Sequence, residues 1–305
     1  MVARGLNVPL EQLWRHLTVA QAGGPARRGQ YTARRMEWRL IVDAAASGPW
    51  NMAVDEALAE AVDASASPPV LRLYRWAPPC LSLGFAQPYT AADAGFCKAS
   101  GIDVVRRPTG GRAVLHHLEL TYSVCAPLGR GPFTRDLQAA YQAICGALVA
   151  GLRRLGVAAE LSGTPENGMI KPTAAIPCFI GPASGEVVVG GRKLVGSAMR
   201  RVGDSILQHG SILEGWDGFL QAGCLGLADD AELRAAVVTL ADLLGSTPPP
   251  DEVAGAIARG LGETLGVTLV PGTLTADERA RGKTLEHERH ANERWVVRRE
   301  RELAG

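Results

Sequence analysis

The chain has 305 residues, of which 47% are hydrophobic, 21% charged and 5% aromatic, with a formal net charge of +1. This usage is globular and excludes a disordered, collagen-like or coiled-coil chain. No stretch approaches the ~18 consecutive apolar residues of a membrane helix, and no secretion signal is visible, so a cytoplasmic protein without membrane partners is expected. A near-neutral chain is also a poor whole-surface ligand for nucleic acid, and no nucleic-acid partner is expected.

Charge is unevenly spread. Residues 1–35 hold six arginines against one acid, Glu11, and read as a basic, loosely ordered extension. Met36 opens the first clear strand, Trp38 to Asp43, and is a candidate start of the folded protein. Asn51 reads as the N-cap of a helix reaching about Ala61, with Asp55 and Glu56 near its positive end. Strands follow at Val70–Trp76 and Cys80–Phe85, then a short helix before Gly101, then strands at Asp103–Arg106, Arg112–His116 and Glu119–Cys125.

A long helix is expected from Thr134 to Leu155, where Leu137, Tyr141, Ile144, Leu148, Leu152 and Leu155 recur at the helical period and Gly156 supplies a stop. Leu161 to Ala175 reads as a loop. Strands return at Glu186–Val189, Arg192–Met199 and Ser205–Ser211. Helices are then expected over Asp230–Leu244, from after Pro248-Pro249-Pro250 to Leu265, and from a capping box at Thr275 and Glu278. Strands interleaved with helices, then helices alone, predict an α+β fold: a mixed β-sheet core packed with helices. The expected division is an extension over 1–35, a catalytic domain over 36–270 and a helical C-terminal tail over 271–305.

Six cysteines, Cys80, Cys97, Cys125, Cys145, Cys178 and Cys224, form no C-x-x-C pair, so no zinc or iron–sulfur knuckle is expected. Each one alone reads as a small buried hydrophobe. Three segments stand apart from generic core. In Arg106-Arg107-Pro108-Thr109-Gly110-Gly111-Arg112, arginines flank a Gly-Gly turn between strands, a place where backbone amides and cations can meet a carbonyl or phosphate. The plain alternative is a hairpin turn with solvated arginines. In Gly190-Gly191-Arg192-Lys193-Leu194-Val195-Gly196-Ser197-Ala198, small residues leave room for a ligand, and the two-residue period puts Lys193, Val195 and Ser197 on one face. The alternative there is an edge strand guarded by a lysine. Cys178 follows an irregular stretch and Pro177, unlike the other cysteines.

These segments resemble the octanoyltransferases of lipoate synthesis, in the lipoate–protein and biotin–protein ligase superfamily. The resemblance covers most of residues 36–300 and includes Asn51-Met-Ala-Val-Asp-Glu-Ala57, Arg106-Arg-Pro-Thr-Gly-Gly-Arg112, Glu119-Leu-Thr-Tyr-Ser-Val124, Gly191-Arg-Lys-Leu-Val-Gly-Ser-Ala198 and Gln208-His-Gly-Ser211. The Gly-Gly and lysine blocks are common to the superfamily. A cysteine fifteen residues before the lysine, as with Cys178 and Lys193, marks the LipM type. The resemblance implies a ligase-like catalytic domain in which Cys178 carries the acyl group and Lys193 lowers its pKa. It implies an acyl pocket bordered by Arg107, Gly110, Gly111, Arg112 and His116, with Ser197 and Ala198 on the other wall. His116-His117 stands where the superfamily usually has His-Asp, which removes the acid from that position.

The implied reaction passes an octanoyl group from octanoyl-acyl carrier protein, through a Cys178 thioester, to a lysine of a lipoyl-domain protein such as the glycine cleavage H protein. It needs neither a cofactor nor a metal. Arginines 106, 107, 112, 192, 200 and 201 would set positive charge around the site for acidic partners. The competing expectations are an ATP-dependent lipoate or octanoate ligase, which gives Cys178 no role, and a non-catalytic acyl-carrier-binding protein.

Overall fold

The computed structural model describes residues 35–163 and 185–299. The expected extension up to residue 34, most of the expected 161–175 loop, Cys178 and residues 300–305 lie outside the described residues. None of the described helices is long and apolar enough to cross a membrane.

The elements run β1 Glu37–Val42, α1 Gly48–Asp63, β2 Val70–Tyr74, β3 Cys80–Leu83, α2 Ala94–Ala99, β4 Asp103–Arg106, β5 Val114–His116, β6 Glu119–Pro127, α3 Leu137–Arg154 and β7 Glu160–Leu161. They continue with β8 Val187–Val189, β9 Arg192–Val202, β10 Ser205–Leu213, α4 Gly218–Cys224, α5 Ala231–Ala236, α6 Leu240–Leu244, α7 Pro250–Thr264, β11 Thr268–Gly272, α8 Ala276–Leu285, a π turn at Glu286–His290 and α9 Glu293–Val296. An eight-stranded sheet has the order β11-β1-β2-β6-β10-β9-β8-β7, and a three-stranded sheet the order β4-β3-β5. This is the expected α+β architecture, a mixed sheet packed with helices.

The large sheet is covered on both faces. Ile144, Leu148 and Leu152 of α3 and Val253, Ile257 and Leu261 of α7 close the larger core over Leu71, Leu73, Tyr122 and Ile206. On the other face Val54, Leu58 and Val62 of α1 pack on Ile41, Val70 and Leu207. Burial of apolar area at this scale is the main stabilising term.

Several boundaries differ from the sequence reading for physical reasons. Helix α1 starts earlier, with Ser47 as N-cap and Pro49 in the first turn. Asn51 is therefore inside the helix, and its side chain donates to the carbonyls of Ala46 and Arg75 at 3.1 and 3.0 Å. Helix α3 begins only at Leu137, after the Asp136 cap, and Leu137 itself stays exposed. The single helix expected over Asp230–Leu244 is two, α5 and α6, because Val237 pairs with Lys193 of β9 and the Val238 N–H donates to the Lys193 carbonyl at 3.0 Å. Strand β11 was not expected; it contains Pro271 and is tolerated as the outermost strand, beside β1.

Candidate active site

A pocket opens where the small sheet faces the middle of the large one. Its floor and far wall are Gly196, Ser197 and Ala198 of β9 with His209, Gly210 and Ser211 of β10. Ser82, Arg107, Val114 and His116 face them from the small-sheet side, and Met52, Tyr74, Trp76 and Thr121 complete an apolar end. The small residues are required. A Cβ at Gly210 would stand 2.4 Å from the Gly196 carbonyl, so the two strands can lie this close only without side chains there.

The turn after β4 is held from beneath by Arg107. Its Nη1 donates to the Ser82 carbonyl and hydroxyl at 2.9 and 3.0 Å, and its Nη2 to the Gly110 and Arg112 carbonyls at 2.9 and 2.6 Å. Gly111 has φ +90°, and a side chain there would meet Arg107 Nη2 at 2.7 Å and lie 4.0 Å from the Ala198 Cβ. The turn thus reaches the opposite wall. Arg106 and Arg107 are both buried and donate to backbone carbonyls. Of the six arginines expected to set positive charge around the site, these two are buried against backbone carbonyls, whereas Arg192 and Arg201 are exposed.

His116 is fixed on every side. Its ring stacks on Trp76 at 4.0 Å and 15°. Its Nδ1 lies 3.2 Å from Glu119 Oε1 and 3.1 Å from Ser211 Oγ, and its Nε2 2.8 Å from Ser82 Oγ. Burial pushes the Glu119 carboxyl up, but the His116 charge and hydrogen bond outweigh it, leaving the group below the ordinary carboxylate value. An ionised Glu119 makes Nδ1 the donor on that side, and Nε2 shares a hydrogen bond with the Ser82 hydroxyl. The carboxylate beside the His116 ring is that of Glu119, three residues on. His117 turns away toward Asp217, 3.9 Å distant.

A second carboxylate lies deeper. Asp55 of α1 accepts from Arg72 Nη1 at 2.9 Å, Ser123 Oγ at 2.9 Å and Tyr74 OH at 2.8 Å. His209 Nδ1 is 3.1 Å from its other face, and His209 Nε2 is 2.7 Å from Thr109 Oγ1. Burial opposes the charge on Asp55, but the His209 bond and Arg72 hold its carboxyl below the ordinary range. Burial also holds His209 below the usual imidazole value despite Asp55, so the pair is an ionised acid and a neutral ring. Through Thr109 this network ties the turn to the centre of the sheet. Asp55, Glu119, Trp76 and His209 carry no assigned role in the sequence reading. Asp55, Glu119 and His209 stand there only as members of quoted motifs, and Trp76 only as the end of a strand.

Lys193 is almost fully buried on β9, an inner strand, which removes the guarded-edge alternative. Its Nζ donates to Glu186 Oε1 at 2.7 Å. The pairing of β8 with β9 shifts register there: Val187 faces Val195 and Val188 faces Lys193, leaving Leu194 as the extra residue. Leu194 and Val195 both enter the larger core, so the simple alternation that put Lys193, Val195 and Ser197 on one face is broken. Ser197 Oγ instead meets Tyr122 OH at 2.7 Å, and with Ala198 it lines the pocket. Cys178 lies outside the described residues. The five described cysteines are free, buried and absent from the pocket wall. Among the described residues no group of three or more His, Cys, Asp or Glu could hold a metal ion.

Residues 47–262 match the family model of the lipoyl protein ligase A/B catalytic domain. The octanoyltransferase LipM of Kyrpidia tusciae is 41% identical over 273 residues, which are 86% of this chain and 99% of that protein. That of Symbiobacterium thermophilum is 39% identical over 276 residues, 86% and 98% of the two chains. Among solved structures, lipoate-protein ligase A bound with ATP superposes with a TM-score of 0.72 at 25% identity, covering 86% of this chain and 99% of that one. A bi-partite lipoate protein ligase of Thermoplasma acidophilum, studied with its E2 lipoyl domain, gives 0.70 at 25% identity over 88% and 100%.

Proposed function

The chain belongs to the octanoyltransferase LipM family, and from that premise we propose that it transfers an octanoyl group from octanoyl-acyl carrier protein to a lysine of a lipoyl-domain protein, through a thioester on Cys178. The observation that carries this reading is the pocket itself. An apolar end formed by Met52 and Trp76 suits a fatty chain, the Gly110–Gly111 turn reaches toward Ala198, and the Gly196–Ala198 wall sits on the strand that carries a buried lysine. The resemblance implies Cys178 as the nucleophile, and none of the five described cysteines lines that pocket to compete with it.

A free thiol of pKa ~8.5 is only a few per cent thiolate near neutrality, and the Lys193 ammonium raises that fraction. Glu186 gives the buried ammonium its counter-charge and fixes its position. The Cys178 thiolate attacks the thioester carbonyl. A carbon–sulfur bond forms, the bond to the carrier's sulfur breaks, and the carrier thiolate takes a proton from Lys193. Backbone amides of the Gly110–Gly111 turn or of Ala198 stabilise the oxyanion. The acceptor lysine's amine then attacks, the sulfur of Cys178 leaves, and the amine's proton returns to Lys193. Two transfers at one sulfur give ping-pong kinetics. Thioester-to-amide transfer runs downhill without ATP.

Mass spectrometry after incubation with octanoyl-acyl carrier protein tests the reading. One octanoyl group on Cys178, formed without ATP and lost in Cys178→Ala, is expected. An ATP-dependent acceptor modification that survives Cys178→Ala would replace it with a ligase. No adduct and no ATP consumption would leave neither.

A further inference from the structure

The C-terminal segment falls outside the stretch matched by the family's catalytic model, residues 47–262, yet it is built into the support of the pocket. Arg106 ends β4, immediately before the turn, and its side chain is fully buried. Nε donates to the carbonyls of Trp295 and Val296 at 3.2 and 3.0 Å. Nη1 donates to the carbonyls of Gly84, Phe85 and Gln87 at 2.9, 3.1 and 2.6 Å. Trp295 answers with its own bond, Nε1 donating to the Arg106 carbonyl at 2.8 Å, and its ring packs 5.7 Å from that of Phe85. Arg299 Nη1 donates to the Ala86 carbonyl at 2.9 Å.

One guanidinium therefore joins α9 to the 84–87 loop. That loop presses on the turn: a Cβ at Gly84 would stand 1.9 Å from the Gly111 carbonyl. Gly111 in turn faces Ala198 on the opposite wall. The step from Gly84 to Gly111 is backbone against backbone and transmits a displacement, because packed backbone yields little. Neither Arg106 nor Trp295 lines the pocket.

We propose that Trp295 and Arg106 are positioning residues for the Gly110–Gly111 turn, so that the C-terminal segment sets the geometry of the acyl pocket from behind it. This rests on the acyl-pocket reading given above.

The test uses the full chain and measures steady-state octanoyl transfer together with hydrogen exchange at residues 84–87 and 107–112. Four proteins are compared: wild type, Trp295→Ala, Trp295→Phe and Leu285→Ala. Leu285 packs on Ala53 and Ala57 of α1, so its truncation loosens the same segment through that packing. At a temperature where all four are folded, Trp295→Ala is expected to lower kcat at least about tenfold and to quicken exchange at both loops, since small misplacements of a reacting geometry are costly. Trp295→Phe, which keeps a ring against Phe85 and loses the bond to Arg106, should fall between. Leu285→Ala should lose Tm and keep kcat. Unchanged exchange at 107–112 in both Trp295 variants, or kcat losses in all variants that simply follow loss of folded protein, would overturn the proposal. Quickened exchange in a protein whose wild type forms no octanoyl adduct would sink the acyl-transfer reading and leave the coupling standing.

Discussion

At Lys193 two demands meet. A buried ammonium needs a counter-charge, which Glu186 provides at 2.7 Å, and the proposed chemistry needs the same ammonium to favour a thiolate. Lys193→Met should move the pH dependence of Cys178 alkylation by iodoacetamide ~1–2 units toward alkaline pH. The double variant with Glu186→Gln, which strands no buried carboxylate, should show the same displacement; a profile that stays in place would mean that the two groups do not interact. Lys193 and the glycines were legible because each is an unusual residue in a short motif, whereas Cys178 is singled out by the family resemblance. Asp55 and His209 were not legible, being 154 positions apart and joined only when α1 and β10 pack together. Glu119 was quoted within a motif but given no work. Its pairing with His116 depends on how the chain reverses between β5 and β6, and composition does not reveal that.

At the level of elements, close contact between helices decides the packing over the larger core. A Cβ at Gly260 of α7 would stand 2.3 Å from the Gly151 nitrogen of α3, and one at Gly151 would stand 2.9 Å from the Ala256 carbonyl. The helices cross there backbone to backbone. Alanine is the better helix former by about 1 kcal/mol, so propensity alone would have Gly260→Ala stabilise the protein. The neighbouring atoms are main chain and cannot swing aside, so overpacking should win, lowering stability by about 1–3 kcal/mol. A urea midpoint at or above that of wild type would contradict this. The same periodicity that made α3 legible left its start uncertain, because Leu137 fits the apolar pattern and yet lies exposed beyond the last core turn. The stretch Asp230–Leu244 misled for the converse reason. Its helical pattern is continuous, and only the distant strand β9 draws Val237 out of it.

For the molecule as a whole, burial and charge combine to set its response to acid. Burial holds His209 below the ordinary imidazole value of 6.5, so on acidification the unfolded chain takes up a proton that the folded one refuses, and stability falls as pH drops below about 6.5. Asp55 and Glu119 lie below their ordinary values of 3.8 and 4.5, so the stability they contribute is present above those values and is lost as pH falls through their folded ones. Denaturant midpoints measured from pH 8 to pH 3 should therefore decline in two stages. His209→Gln should shrink the upper stage to the share of His117, which burial also holds below the ordinary imidazole value, and keep the part of the lower stage that Glu119 carries. A single decline confined to pH values below about 4.5 in the wild type would contradict the assignment of a neutral buried His209.

Strands β1 and β11 are neighbours in space and are the first and last strands of the described chain. During synthesis the nascent protein must wait for Thr268–Gly272 to leave the ribosome before the outer rim of β1 is covered. Until then Glu37–Val42 offers a row of unpaired amides and carbonyls to any extended segment nearby. A transcript cut short before β11 would therefore yield a polypeptide that carries every pocket-lining side chain described above and is nonetheless prone to aggregate.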